Sequence, residues 1–169
     1  FGAAPKPGMW PGVSALTRDL MSLTALVRAR HPEIPLYLLG ESMGGGVVMV
    51  TLKHAHEQAQ EMGLSGVILS APAVWGRQFM PWYQTIALWI STHTFPKATL
   101  TGQGLKIMAS DNIEMLRALG SDPLVIKKTR VDAIYGLTNL MDQAFEAASE
   151  LKGPLLVLYG ERDEVIPRK

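Results

Sequence analysis

The chain has 169 residues, 47% hydrophobic and 18% charged, and its 16 Lys and Arg against 15 Asp and Glu leave a net charge of +1. This composition describes an apolar globular chain with one sizeable core and excludes a disordered polar segment or a basic nucleic-acid footprint. Cysteine is absent, which excludes disulfides and thiolate metal sites and leaves the compartment open, with the cytoplasm favoured.

Residues 1–12, rich in Gly and Pro with Trp10 near their end, read as a loop. Phe1-Gly2-Ala3-Ala4-Pro5 is neither an initiator methionine nor a signal peptide, so the chain is expected to be cut at both ends. Ser14 is the expected N-cap of a helix whose Leu16, Leu20, Leu23 and Val27 share one face. Arg28 and Arg30 suit its C-terminal end, and His31-Pro32-Glu33-Ile34-Pro35 breaks it. A buried strand follows at Leu36–Leu39, then a helix from Val47 to about Met62 with Gly63 as its C-cap. Gly66-Val67-Ile68-Leu69-Ser70 reads as a second buried strand, ended by Ala71-Pro72-Ala73. Strand, helix, strand in this rhythm predicts a right-handed crossover and an α/β fold with a mostly parallel sheet.

From Trp75 to about Lys152 the rhythm changes to an aromatic segment and Gly- and Pro-punctuated loops. Two further helices are expected, at 112–119 with Ser110 or Asp111 as cap and at 132–151. Pro154–Tyr159 reads as a third buried strand, followed by Gly160-Glu161-Arg162-Asp163-Glu164-Val165-Ile166-Pro167. No run reaches the ~20 apolar residues of a membrane span, and there is no internal repeat.

Between the first strand and its helix lies Gly40-x-Ser42-x-Gly44, a tight strand-to-helix turn with serine at its apex. Such a turn strains the serine backbone, and a side chain at Gly40 or Gly44 is expected to collide with its neighbours. It holds the hydroxyl beyond the carboxyl end of the strand, where the Met43 amide and the helix N-terminus can face a developing oxyanion. This is the pattern of a nucleophile elbow. No Lys-Ser or Lys-Thr follows the glycines, so the loop is not a P-loop.

Leu39-Gly40-Glu41-Ser42-Met43-Gly44-Gly45 together with Tyr159-Gly160-Glu161-Arg162-Asp163-Glu164-Val165-Ile166-Pro167 resembles the α/β-hydrolase superfamily. More narrowly, it resembles the monoacylglycerol lipase and lysophospholipase branch, often called serine aminopeptidase-like. The resemblance implies Ser42 as nucleophile, Asp163 as triad acid and the Met43 amide as one oxyanion donor. It also implies a core at 1–74 and 153–169 interrupted by a helical cap at 75–152. Asp163 follows a later parallel strand and is therefore expected at the same sheet edge as Ser42. The family's catalytic histidine and its other oxyanion donor have no counterpart here, so the chain resembles the middle of a hydrolase.

No histidine of the chain is an obvious replacement. His31 belongs to the amino-end loop of the Ser42 strand, and His54 and His56 lie roughly 18 to 21 Å along the elbow helix. Only His93, in the cap, could approach the serine. The expected activity of the parent protein is hydrolysis of a carboxylic ester, of monoacylglycerol or lysophospholipid type, through a Ser-Asp-His triad and an acyl-enzyme. Hydrolysis of other esters, or of amides and peptides, and a non-catalytic binding role are the alternatives. The cap residues Met80, Trp82 and Trp89, with Trp75, Phe79, Tyr83 and Met108, are expected to line an acyl pocket as well as pack the cap. The chemistry calls for no cofactor and no metal. The expected partner is a small acyl ester or lipid, with transient contact at a membrane surface, no membrane span and no nucleic acid.

Overall fold

The computed structural model describes residues 8–102, 110–163 and 165. Its centre is a parallel three-stranded sheet in the order β1 (Tyr37–Glu41), β2 (Gly66–Ser70) and β5 (Leu155–Leu158). Leu39 pairs with Ile68 and Ile68 with Leu156, so residues in register share a face. Helix α1 (Val13–Arg30) leads into β1, and α2 (Met43–Glu57) crosses from β1 to β2. The predicted strand–helix–strand unit is therefore present.

Details of the predicted ends differ. Helix α1 begins after Gly12, whose φ of 92° turns the chain into the helix, so Ser14 falls inside the first turn rather than at the cap. Leu16 and Leu20 pack against the core, but Leu23 is 57% exposed. The buried residues of α1 are Thr17 and Thr24, whose hydroxyls donate to the Ser14 and Leu20 carbonyls. Helix α2 stops at Glu57, not Met62. The stop is Ala59, left-handed at φ 52°, after which the Gln60 amide donates to the Ala55 carbonyl at 2.9 Å. Gly63 lies beyond, in a loop, and its carbonyl accepts from the Arg28 guanidinium, which also holds the Pro32 and Ile34 carbonyls.

Residues 75–152 hold three α-helices among the described residues, with two elements that the sequence did not disclose. One is α3 (Trp82–Thr94); the other is a short antiparallel pairing of β3 (Thr99–Leu100) with β4 (Thr129–Arg130). A 3-10 turn at Arg77–Phe79 precedes α3. Helix α4 (Ile113–Ser121) is capped by Asn112, whose side-chain oxygen accepts from the Met115 amide at 3.0 Å, rather than by Ser110 or Asp111. Helix α5 (Val131–Ala147) runs on into a 3-10 turn at Ala148–Glu150. The expected pocket residue Met108 lies outside the described residues.

The core sits between α2, α5 and one face of the sheet. Val47, Val48, Met49 and Val50 of α2 meet Val67 and Leu69 of β2 and Leu140, Ala144 and Ala147 of α5. The last three are fully shielded from solvent. Trp10 lies flat on α5 at Gly136, where an added Cβ would fall 2.2 Å from the indole nitrogen. Strand β5, expected to be buried, is exposed along its whole length among the described residues, Leu155 and Val157 as well as Leu156 and Leu158, and Tyr37 and Leu39 of β1 are exposed too.

Candidate active site

Ser42 separates β1 from α2 and holds φ 48° and ψ −118°, a conformation that costs a non-glycine residue on the order of 1–3 kcal/mol. The surroundings over-determine it. The Ser42 amide donates to the Ser70 carbonyl at 3.0 Å, and the Ser42 carbonyl accepts from the Gly46 amide at 3.2 Å and the Ala73 amide at 2.9 Å. With the backbone fixed on both sides, the exposed hydroxyl stands at the carboxyl end of β1 and at the N-terminus of α2. Among the described residues it has no hydrogen-bond partner. Met43 is the first residue of α2, so its amide has no intrahelical acceptor and is available to a ligand oxygen.

Of the two glycines expected to be crowded, Gly40 and Gly44, only the first is. A Cβ at Gly40 would lie 2.7 Å from Gly45 Cα and 2.8 Å from the Gly44 carbonyl oxygen, so this position does need glycine. A Cβ at Gly44 would meet nothing within 4 Å; the crowded neighbour is Gly45, where a Cβ would lie 2.8 Å from Pro72 Cβ. Pro72 belongs to the loop that leaves β2, and its approach fixes which glycine of the run is indispensable. That loop is itself strained, with Ala71 at φ 40° and its amide donating to the Leu158 carbonyl at 2.8 Å. Ala71, Pro72 and Ala73 are thus structural partners of the elbow that the motif alone did not reveal. The signal was present in the Gly44-Gly45-Gly46 run and the proline after β2.

These bonds tie the carboxyl ends of all three strands into one row: Ser42 to Ser70, and Ala71 to Leu158. Asp163 follows β5 by a few residues and is half-buried; its Oδ1 accepts from the Val165 amide at 2.9 Å. Ser42 and Asp163 therefore belong to the same edge. Since β2 separates β1 from β5, the two strand ends lie roughly 10 Å apart at ordinary strand spacing.

Among the described residues none of the four histidines is hydrogen-bonded to Ser42. His54 Nε2 accepts from Gln58, and His56 Nε2 from Lys152. His31 ends α1. His93 donates from Nδ1 to the Trp89 carbonyl at 2.7 Å, with its ring 4.3 Å from that indole. Among the expected pocket residues, Trp82 is 74% exposed and edge-on to Tyr83, Trp89 is 53% exposed, and Met80 is half-buried. Among the described residues no three His, Asp or Glu side chains are grouped to hold a metal ion, and no helix is long and apolar enough to cross a membrane.

A parallel sheet flanked by helices, with a strained serine between strand and helix at its carboxyl edge, defines an α/β-hydrolase fold. The structure superposes with a TM-score of 0.69 on Paleococcus ferrophilus monoacylglycerol lipase, at 22% identity over 92% of this chain and 57% of that one. On a soluble variant of Saccharomyces cerevisiae monoglyceride lipase the score is 0.64 at 21% identity, covering 90% of this chain and 51% of that one. Residues 1–169 match the family described as serine aminopeptidase, S33, and the chain belongs to that family. Its curated relatives include a monoacylglycerol lipase of Mycolicibacterium smegmatis, 27% identical over 92% of this chain and 54% of that protein. A monoglyceride lipase of Rattus norvegicus is 28% identical over 90% of this chain and 49% of that protein. The chain thus spans about half the length of the curated relatives it matches.

Proposed function

We propose that the whole protein is a serine hydrolase that cleaves carboxylic esters of monoacylglycerol or lysophospholipid type, with Ser42 as nucleophile and Asp163 as the acid of its triad. One observation carries the reading: Ser42 is held at φ 48° at the N-terminus of α2, its exposed hydroxyl making no hydrogen bond among the described residues. The names of the relatives support the substrate class. A histidine outside these 169 residues, seated between Ser42 and Asp163, takes the Ser42 proton as Oγ attacks the acyl carbon. The tetrahedral oxyanion faces the Met43 amide and the positive end of α2. Collapse expels the alcohol, which takes the proton from the histidine. Water, activated by the same histidine, then releases the carboxylic acid and restores Ser42. In this reading residues 75–152 form a cap over the site, and Met80, Trp82 and Trp89 contribute to the acyl pocket.

The family description favours one second reading, hydrolysis of aminoacyl amides by the same machinery. Both are tested on the full-length gene product. A fluorophosphonate probe should label it and should not label Ser42→Ala. An acyl-length series of glycerol esters, set against aminoacyl substrates, then separates the two readings. Residues 1–169 alone should not label in this reading, which puts the base outside them; stoichiometric labelling of that piece would instead assign the role to one of its own four histidines.

A further inference from the structure

Arg77 stands at the start of the segment that leads from the elbow into α3. Its backbone amide donates to Asp142 Oδ1 at 2.6 Å, and its guanidinium donates to the other carboxylate oxygen. A second guanidinium nitrogen donates to Asn139 Oδ1 at 2.5 Å, and the guanidinium carbon lies 4.9 Å from the centre of the Tyr135 ring. Tyr135, Asn139 and Asp142 recur at i, i+4 and i+7 along α5, so they form one face of that helix. The main chain at Gly76 runs so close to this face that an added Cβ would fall 2.5 Å from Asp142 Oδ1. Two residues past Arg77, Phe79 meets Phe145 of α5 edge-on at 5.6 Å. The entry to α3 is thus held by a charged and an aromatic contact on a single helix.

That helix is also the one that covers α2. Gly46 of α2 faces Leu140 of α5, where an added Cβ would lie 3.5 Å from Leu140 Cγ. Ala73, four residues before Arg77, donates to the Ser42 carbonyl. The segment from Ala73 to Phe79 is therefore fixed at one end to the serine and at the other to α5. Beyond it lie Trp82 and Trp89 on α3.

We propose that Arg77 and Asp142 are positioning residues that set the place of α3 relative to Ser42, and so govern which acyl chains the site accepts. The inference rests on the ester-hydrolase reading above. Neither residue touches the reacting atoms. Both act through the segment they hold, because a carboxylate gripped by the Arg77 amide and by a guanidinium that is itself bonded to Asn139 and lies over the Tyr135 ring has one preferred geometry. Releasing it lets α3 shift while the elbow, held by its own hydrogen bonds, stays in place.

The test uses the full-length protein with Asp142→Ala, Arg77→Ala and the double variant. Long-chain ester hydrolysis should lose roughly tenfold to a hundredfold in kcat/KM, carried mainly by KM. Acetate ester hydrolysis and the rate of fluorophosphonate labelling at Ser42 should change less than about twofold. The double variant should be no worse than either single one, because the two residues act as one unit. Asp142→Asn retains the acceptor oxygen for the Arg77 amide and should show the same bias in smaller measure; it serves as the test if the alanine variants do not fold. Equal losses on long and short esters, or unchanged chain-length selectivity in folded variants, would overturn the proposal. Absence of labelling in the unmodified protein would overturn the hydrolase reading itself, which keeps the two failures distinct.

Discussion

Gly44→Ala and Gly45→Ala are adjacent substitutions with opposite expected outcomes. A Cβ at position 45 would lie 2.8 Å from Pro72 Cβ, 2.9 Å from Pro72 Cα and 3.3 Å from the Gly40 carbonyl oxygen. Carbon pairs pack at about 3.5–4.0 Å, so something must move by about an ångström. Pro72 has little freedom, since Ala71 is bonded to Leu158 on one side and Ala73 to Ser42 on the other. Forcing a methyl into so tight a contact costs about 1–3 kcal/mol. At position 44 the added methyl meets nothing within 4 Å, and alanine in place of glycine in a helix gains up to about 1 kcal/mol. Together the two effects separate the variants by about 1–4 kcal/mol, read as a lower Tm for Gly45→Ala than for Gly44→Ala. Thermal denaturation of both variants in the full-length protein measures it, with fluorophosphonate labelling reporting the state of Ser42. If Gly44→Ala proved as damaging as Gly45→Ala, the assignment of the crowded glycine would be wrong.

Three further outcomes are expected. Asp163→Asn should keep the fold and lower kcat by orders of magnitude, because the histidine loses its orienting partner; a rate near that of the unmodified enzyme would point to another carboxylate. Trp82→Ala and Trp89→Ala should impair long-chain esters more than acetate esters, whereas equal impairment would assign both indoles to packing. The Arg130 guanidinium hydrogen-bonds Asp132 and holds its carboxyl below the usual range, against the opposing effect of partial burial. A carboxyl depressed in the folded state contributes stability above its unfolded pKa of about 4, and that contribution disappears as pH falls through the folded value. Asp132→Asn should therefore be slightly less stable at neutral pH, with the gap closing in acid. A gap that persists unchanged at low pH would mean that the charge is not its source.

The elbow was legible because glycine spacing around a serine reports a local backbone geometry, and local geometry is what a short motif encodes. Which glycine is crowded was not legible, because the answer depends on Pro72, which reaches the turn only through the sheet. The end of α2 escaped notice for a related reason. Ala59 adopts the left-handed conformation that glycine usually supplies, so the sequence carried no stop at that point. Helix α3 was obscured by the run Ile86-Ala87-Leu88-Trp89-Ile90, whose contiguous apolar residues do not distinguish a helix from a buried strand. The clamp formed by Arg77, Asn139 and Asp142 joins residues more than sixty apart, beyond the reach of any periodic pattern.

The packing of α5 onto α2 has a consequence for synthesis. Val47 to Val50 of α2 share one core with Leu140 and Ala144 of α5, yet about 90 residues separate the two groups, and at 5–20 residues per second the ribosome needs roughly 5–18 s to deliver the second. Throughout that interval the nascent helix after Ser42 carries an uncovered apolar flank, the kind of surface that chaperones bind. Synonymous slow codons across residues 75–130 would lengthen the exposure without altering a single side chain. The fraction of newly made protein recovered in soluble form should fall accordingly, and an unchanged fraction would show that the flank is sheltered by something that arrives sooner.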